Sequence, residues 1–258
     1  MARGIALLVG LTSVDPAAYH GWDGKVGCEG SERDVGNMVK VVSSAGKYEI
    51  KTLMTQQATA SAILTGIESV ADTLKPGDMF AFYYSGHGGR KPDINGDEPD
   101  KYDDTLVAYD REIIDDELAK LWLEFAPGVR IVMLSDSCNS GTNEGYIIKV
   151  LGAKPPKPPI QELMPISFAG KVSGMNAQLI HFGACRDGQA SAGYPLGGAF
   201  TLALNEIWNN GRFSGTYREF YEVIKKRLKK AGELQVPQFN KYGNVQPDFL
   251  NSKPFSLS

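Results

Sequence analysis

Two stretches of this chain end in the same way. Residues 78–89 read Asp-Met-Phe-Ala-Phe-Tyr-Tyr-Ser-Gly-His-Gly-Gly, and residues 129–141 read Val-Arg-Ile-Val-Met-Leu-Ser-Asp-Ser-Cys-Asn-Ser-Gly. Each is an apolar, aromatic or β-branched run that stops at a glycine-punctuated polar cluster. That is the pattern of a buried strand whose carboxyl end opens into a loop. Residues 5–9 form a third continuous apolar run, ending at Gly10. Runs without polar alternation suit strands buried on both faces, which occur in parallel sheets covered by helices.

The segments between these runs have helical spacing. Ser31-Glu-Arg-Asp34 has the form of a capping box, with Val35, Met38, Val39 and Val42 behind it and Gly46 as the stop. Thr59 or Ser61 caps a second helix carrying Ile63, Ile67, Val70, Ala71 and Leu74, ended by Pro76-Gly77. Residues 114–125 form a third, opened by Asp115 or Asp116. Residues 197–208 and 216–231 form two more. Further strands are expected at 48–53 and 178–184. Residues 235–239 read as a short last strand or an extended tail, with Pro237 favouring an edge. Residues 88–104 read as a polar loop. The order predicts an α/β fold of three layers, with a mostly parallel central sheet of about six strands and helices on both faces.

At 258 residues the chain is expected to be one domain. It divides into residues 1–145, a long connection at 146–176 containing Lys154-Pro-Pro-Lys-Pro-Pro159, and residues 177–258. A net charge of −3 gives no sign of a nucleic-acid or membrane partner. No apolar run approaches the ~18 residues of a membrane span, and no signal peptide is evident. Three cysteines at long spacing argue against a disulfide framework and for a reducing compartment, so a cytoplasmic location is expected. A monomer is the expected state.

In an open parallel sheet, ligands bind at the carboxyl ends of the strands. There one loop presents His87 and the other Cys138. A thiol near pKa ~8.5 is only slightly ionised at neutral pH. A neighbouring imidazole can take its proton and later protonate a leaving amine. The amides of Gly88 and Cys138 could face a developing oxyanion, and the glycines around His87 leave room for a substrate backbone. Asp136, two residues before Cys138, would attract a basic side chain to the same place.

His87 and Cys138 are 51 residues apart, close to the roughly 50 of caspases. Tyr84-Ser-Gly-His-Gly88 and Asp136-Ser-Cys-Asn-Ser-Gly141 resemble the two catalytic motifs of metacaspases and orthocaspases, within the caspase-like cysteine peptidases. The resemblance runs from the first strand to about residue 190. It implies a cysteine endopeptidase acting on peptide or protein substrates after Arg or Lys, with Asp34, Ser85 and Asp136 forming the pocket for the basic side chain. Ser31 stands where the family often has a Cys, and Asn139 where a His is commoner. A catalytically silent scaffold, and a peptidase preferring Asp through Arg90 or Arg186, are the competing readings.

No cofactor is expected for the chemistry itself. The stretch 93–117 is dense in acids, which repel unless solvated or bound to a hard cation. The resemblance implies Ca²⁺ as a possible activator held by Asp100, Asp115 and Asp116, with Glu144 a further candidate. It also places a self-cleavage region after the Cys138 loop, where Lys149, Lys154, Lys157 and Lys171 are candidates. Cys28 and Cys185 read as small buried apolar residues.

Overall fold

The computed structural model describes residues 2–96, 98, 101–137, 166–168, 170–185 and 192–258. The connection through 138–165 and the segment 186–191 lie outside them, and with them fall Cys138, Lys149, Lys154, Lys157, Glu144 and Arg186, as does Asp100.

Six strands build the central sheet: β1 (Gly4–Gly10), β2 (Tyr48–Met54), β3 (Met79–Ser85), β7 (Arg130–Asp136), β8 (Gln178–Gly183) and β11 (Gln238–Gly243). Their order is β11-β8-β7-β3-β1-β2, and all pairs are parallel except β11 with β8. The apolar runs occupy the middle. β1 and β3 are buried at every position, as strands covered on both faces must be. The last strand starts just after Pro237, so the proline lies outside the ladder it could not donate to.

Helices cover both faces. α1 (Ser31–Ala45), α4 (Ala199–Trp208) and α5 (Tyr217–Ala231) pack on one side, where Val35, Met38, Leu204, Trp208, Phe220 and Ile224 meet Leu8, Tyr83 and Leu134. α2 (Ala60–Ala71) and α3 (Asp115–Glu124) pack on the other, where Ile63, Ile67, Leu118 and Trp122 meet Leu7, Phe82 and Met133. The helical stripe thus supplies one wall of each core and the strand alternation supplies the other. A short helix, α6 (Pro247–Asn251), follows β11.

The three-layer expectation is met, with local corrections. Thr59 caps α2, accepting from the Ala62 amide. α1 does not start from a Ser31 capping box: Gly30 is its N-cap and makes no side-chain cap bond. Ile114, not an aspartate, is the N-cap of α3. The stretch expected as a polar loop carries part of a small antiparallel sheet, β4 (Gly88–Pro92), β5 (Tyr102–Val107) and β6 (Glu112–Ile114). A two-residue hairpin, β9 (Gly193–Tyr194) with β10 (Gly197–Gly198), precedes α4. Among the described residues no helix is long and apolar enough to cross a membrane.

Candidate active site

The parallel register of β3 and β7 sets Ser85 level with Asp136, and the Gly86 amide donates to the Asp136 carbonyl at 3.4 Å. The two motifs therefore leave the sheet side by side. His87 follows two residues after Ser85, and in the sequence Cys138 follows two after Asp136.

The turn that carries His87 is fastened from below. The Tyr84 hydroxyl reaches the His87 carbonyl at 2.7 Å and the Val107 carbonyl at 2.8 Å. A Cβ on Gly86 would lie 2.6 Å from that hydroxyl, so the turn needs glycine there for close approach. The His87 ring is buried against Trp22, with centroids 4.7 Å apart. Its Nε2 lies 2.7 Å from the Gly24 carbonyl oxygen. A carbonyl only accepts, so Nε2 carries the proton and Nδ1 is the basic nitrogen of the neutral ring. Burial pushes the imidazole pKa down to about 4, against a smaller upward pull from the Gly24 carbonyl. The ring is thus a neutral base through the physiological range. Gly88 is buried at the start of β4, opposite Leu106.

Beside this turn lies a solvent-open pocket lined by Gly27, Cys28, Gly30, Ser31, Asp34, Ser85, Gly86, Asp136, Ala192, Gly193, Tyr194 and Gly198. Asp34, in the first turn of α1, is buried there. It accepts from the Ser85 hydroxyl at 3.0 Å and from the Gly198 amide at 2.9 and 3.1 Å. Asp136, also buried, accepts from the Thr201 hydroxyl at 2.8 Å and its amide at 3.2 Å. The Thr201 hydroxyl meets that of Tyr83 at 2.6 Å. Burial, then the nearby Asp136 charge, holds the Asp34 pKa well above the usual carboxylate range, although Gly198 and Ser85 pull it down. Two buried acids, each held by donors of the protein, thus face one pocket, and buried carboxylates of this kind are stabilised by a positive charge.

The hairpin before α4 borders the pocket, and its close approach needs glycine at Gly197 and Gly198 and, facing it, at Gly30. A Cβ on Gly198 would lie 2.3 Å from Asp136 Oδ2, one on Gly197 would lie 2.2 Å from Asp34 Oδ1, and one on Gly30 would lie 2.3 Å from the Tyr194 carbonyl. Of the pocket residues read from the sequence, Asp34, Ser85 and Asp136 are brought together. Trp22, Gly24, Tyr84, Thr201 and Gly198 were missed, since their roles depend on contacts across the fold. The repeated Gly197-Gly198 before a helix was the one available signal. Cys28 lines the pocket as a buried free thiol, whereas Cys185, buried after β8, is disulfide-bonded, which corrects the reading of it as a plain apolar residue.

A second cluster lies on the small sheet. Asp103, Asp115 and Asp116 place carboxylate oxygens within 4.8 Å of one another. Asp115 and Asp116 are thus joined by Asp103, while Asp100 lies outside the described residues. Lys171 enters this cluster. Its side chain is 4% exposed, and its Nζ lies 2.7 to 3.2 Å from Glu98, Asp103, Asp115 and Asp116. Of the four lysines considered for self-cleavage, it alone lies among the described residues, and its head group is engaged by acids.

A three-layer α/β sandwich with motif loops at adjacent parallel strand ends is the caspase-like architecture. The family described as metacaspase, peptidase C14 domain, matches residues 6–144, and the chain belongs to that family of cysteine peptidases. Metacaspase-1A of Aspergillus fumigatus is 34% identical over 151 residues, covering 53% of this chain and 35% of that protein. Metacaspase-1 of Emericella nidulans is 33% identical, with the same coverage. The chain spans about a third of the length of these curated relatives. A crystal structure of a protein from Geobacter sulfurreducens superposes with a TM-score of 0.80 at 33% identity, over 99% of both chains.

Proposed function

We propose that this chain is a cysteine endopeptidase that cuts peptide bonds after Arg or Lys, with Cys138 as nucleophile and His87 as general base. The observation that carries the specificity is the pairing of two buried acids, Asp34 and Asp136, in one pocket beside the His87 turn. A guanidinium or ammonium entering between them gains charge-assisted hydrogen bonds to buried carboxylates. An aspartate side chain would meet two carboxylates and be repelled.

In the chemical step, Nδ1 of His87 takes the proton of the Cys138 thiol as the sulfur attacks the scissile carbonyl carbon. The amides of Gly88 and Cys138 are the proposed donors to the oxyanion, each worth about 3 kcal/mol. The imidazolium then protonates the leaving amine, which departs as the thioester forms. A water molecule, deprotonated by the same ring, attacks the thioester and releases the acid and the thiol. The Gly24 carbonyl stabilises the imidazolium formed at each half-reaction, because it accepts from Nε2–H throughout.

The test is hydrolysis of peptide reporters ending in Arg, Lys or Asp by the wild type and by Cys138→Ala. The proposal expects Arg and Lys reporters to be cut, Asp reporters to be spared, and all turnover to vanish in the variant. Turnover of the Asp reporter alone overturns the pocket assignment. Turnover surviving in Cys138→Ala overturns the nucleophile.

A further inference from the structure

The acidic cluster on the small sheet has the dimensions of a calcium site. Oxygens of Asp103, Asp115 and Asp116 fall within 4.8 Å of one another, and ligands at 2.3–2.6 Å from one ion span about that distance. Yet the centre is taken. One nitrogen, Nζ of Lys171, stands 3.1 Å from Glu98, 3.1 Å from Asp103, 3.2 Å from Asp115 and 2.7 Å from Asp116. A calcium ion bound to the same oxygens would overlap that nitrogen, and both are positive. The residues as they stand therefore do not fit the metal.

We propose that the Lys171 ammonium is the resident cation of this cluster, and that it replaces a divalent ion in holding the small sheet and the start of α3 to the segment before β8. Its position is not accidental to a loose side chain. Buried apolar residues flank it on both sides: Phe168 packs edge-on against Trp122 at 6.1 Å, and Val172 and Met175 enter the same core. The Lys171 amide closes a turn onto the Phe168 carbonyl, and the Met175 amide closes another onto Val172. With its stem sunk between such anchors, the lysine delivers a fixed charge. Asn95 adds a neutral donor to Asp116 at 2.6 Å. An ammonium has three protons for four carboxylates, and burial, with smaller contributions from the Asp104 and Asp103 charges, raises Asp115 to about 8 despite Lys171. The chain thus carries its cation covalently. This bears on the cluster alone and stands whether or not the peptidase reading holds.

The test removes the lysine and asks whether the vacated cage takes calcium. Lys171→Ala empties the centre, and Lys171→Gln keeps a stem and a neutral donor in case the alanine variant folds poorly. Calcium binding is read by isothermal titration and by terbium luminescence, and stability by thermal melting with calcium or with chelator. For the wild type we expect no calcium binding at millimolar ion and no change in Tm. For the variants we expect Tm to fall by roughly 5–15 °C in chelator, calcium to restore most of the loss, and one ion to bind per chain. A variant that folds only in calcium and unfolds on chelation gives the same answer. Calcium binding with a raised Tm in the wild type overturns the proposal. So does a pair of variants that neither lose stability nor gain calcium.

Discussion

The imidazole of His87 donates from Nε2 to the carbonyl oxygen of Gly24 at 2.7 Å, 63 residues away in the chain. That one bond fixes the tautomer and so decides which nitrogen can act as base. It also ties the His87 turn to the loop bearing Trp22, whose indole packs against the ring.

Removing that indole should change how the histidine titrates. Burial is what holds the His87 pKa down at about 4. In Trp22→Ala the ring is partly hydrated, and its midpoint, followed by NMR of the imidazole Hε1, should move up towards the ordinary ~6.5. We expect kcat to fall roughly tenfold with little change in KM, because base geometry rather than substrate binding is disturbed. An unchanged midpoint would contradict the assigned role of Trp22.

The acid pair predicts a pH-dependent affinity. With the pocket empty, Asp34 holds its proton to well above the usual carboxylate range. A bound cation favours both charged forms, so binding expels the proton. Benzamidine should bind more tightly as the pH rises from about 6 to 8, with proton release visible as a buffer-dependent heat in calorimetry. Affinity flat over that window would place no proton between the two acids.

The same proton has a stability sign. Between the unfolded carboxylate pKa and the raised native one, the native state binds more protons than the unfolded chain. The stabilisation is therefore fully present below the unfolded pKa and is lost as pH rises through the native value. Asp34→Asn, with its Oδ1 where Oδ2 now accepts from Ser85 and Gly198, removes that burden. Its Tm should exceed the wild-type value by more at pH 9 than at pH 5, while kcat/KM on an Arg reporter falls at least a hundredfold.

Gly198 is required by space rather than by backbone conformation, since its φ of −66° and ψ of 143° suit any residue. A methyl group there meets Asp136 Oδ2 at 2.3 Å. Gly198→Ala should cost about 1–3 kcal/mol in denaturant unfolding and abolish measurable Arg hydrolysis by turning the carboxylate out of the pocket. A variant with wild-type kcat/KM would show that Asp136 does not need its present position.

What could be read from the sequence followed from local rules. The apolar runs at 5–9, 79–84 and 131–134 became β1, β3 and β7 because strands covered on both faces carry no alternation to confuse. Of the pocket acids, Asp136 came from the motif at the end of β7, whereas Asp34, in the first turn of α1, was given by the resemblance. The small sheet was missed because Gly88-Gly-Arg-Lys-Pro92 and Tyr102-Asp-Asp-Thr105 lack an apolar period, and their pairing is set by tertiary context. Ser31 read as a cap, yet Gly30 takes that place, where the Tyr194 carbonyl leaves no room for a side chain. Lys171 read as a cleavage candidate in the long connection, since nothing local announces an ion pair with residues 55 to 73 positions earlier.

The most direct test of the central claim is covalent labelling by a peptidyl ketone inactivator ending in Arg, compared with its Asp counterpart, followed by peptide mass mapping. The account predicts that the Arg reagent adds one equivalent at Cys138, that labelling disappears in Cys138→Ala and slows at least a hundredfold in Asp136→Asn, and that the Asp reagent leaves the protein unmodified. Faster labelling by the Asp reagent, or modification at Cys28 in place of Cys138, would contradict it.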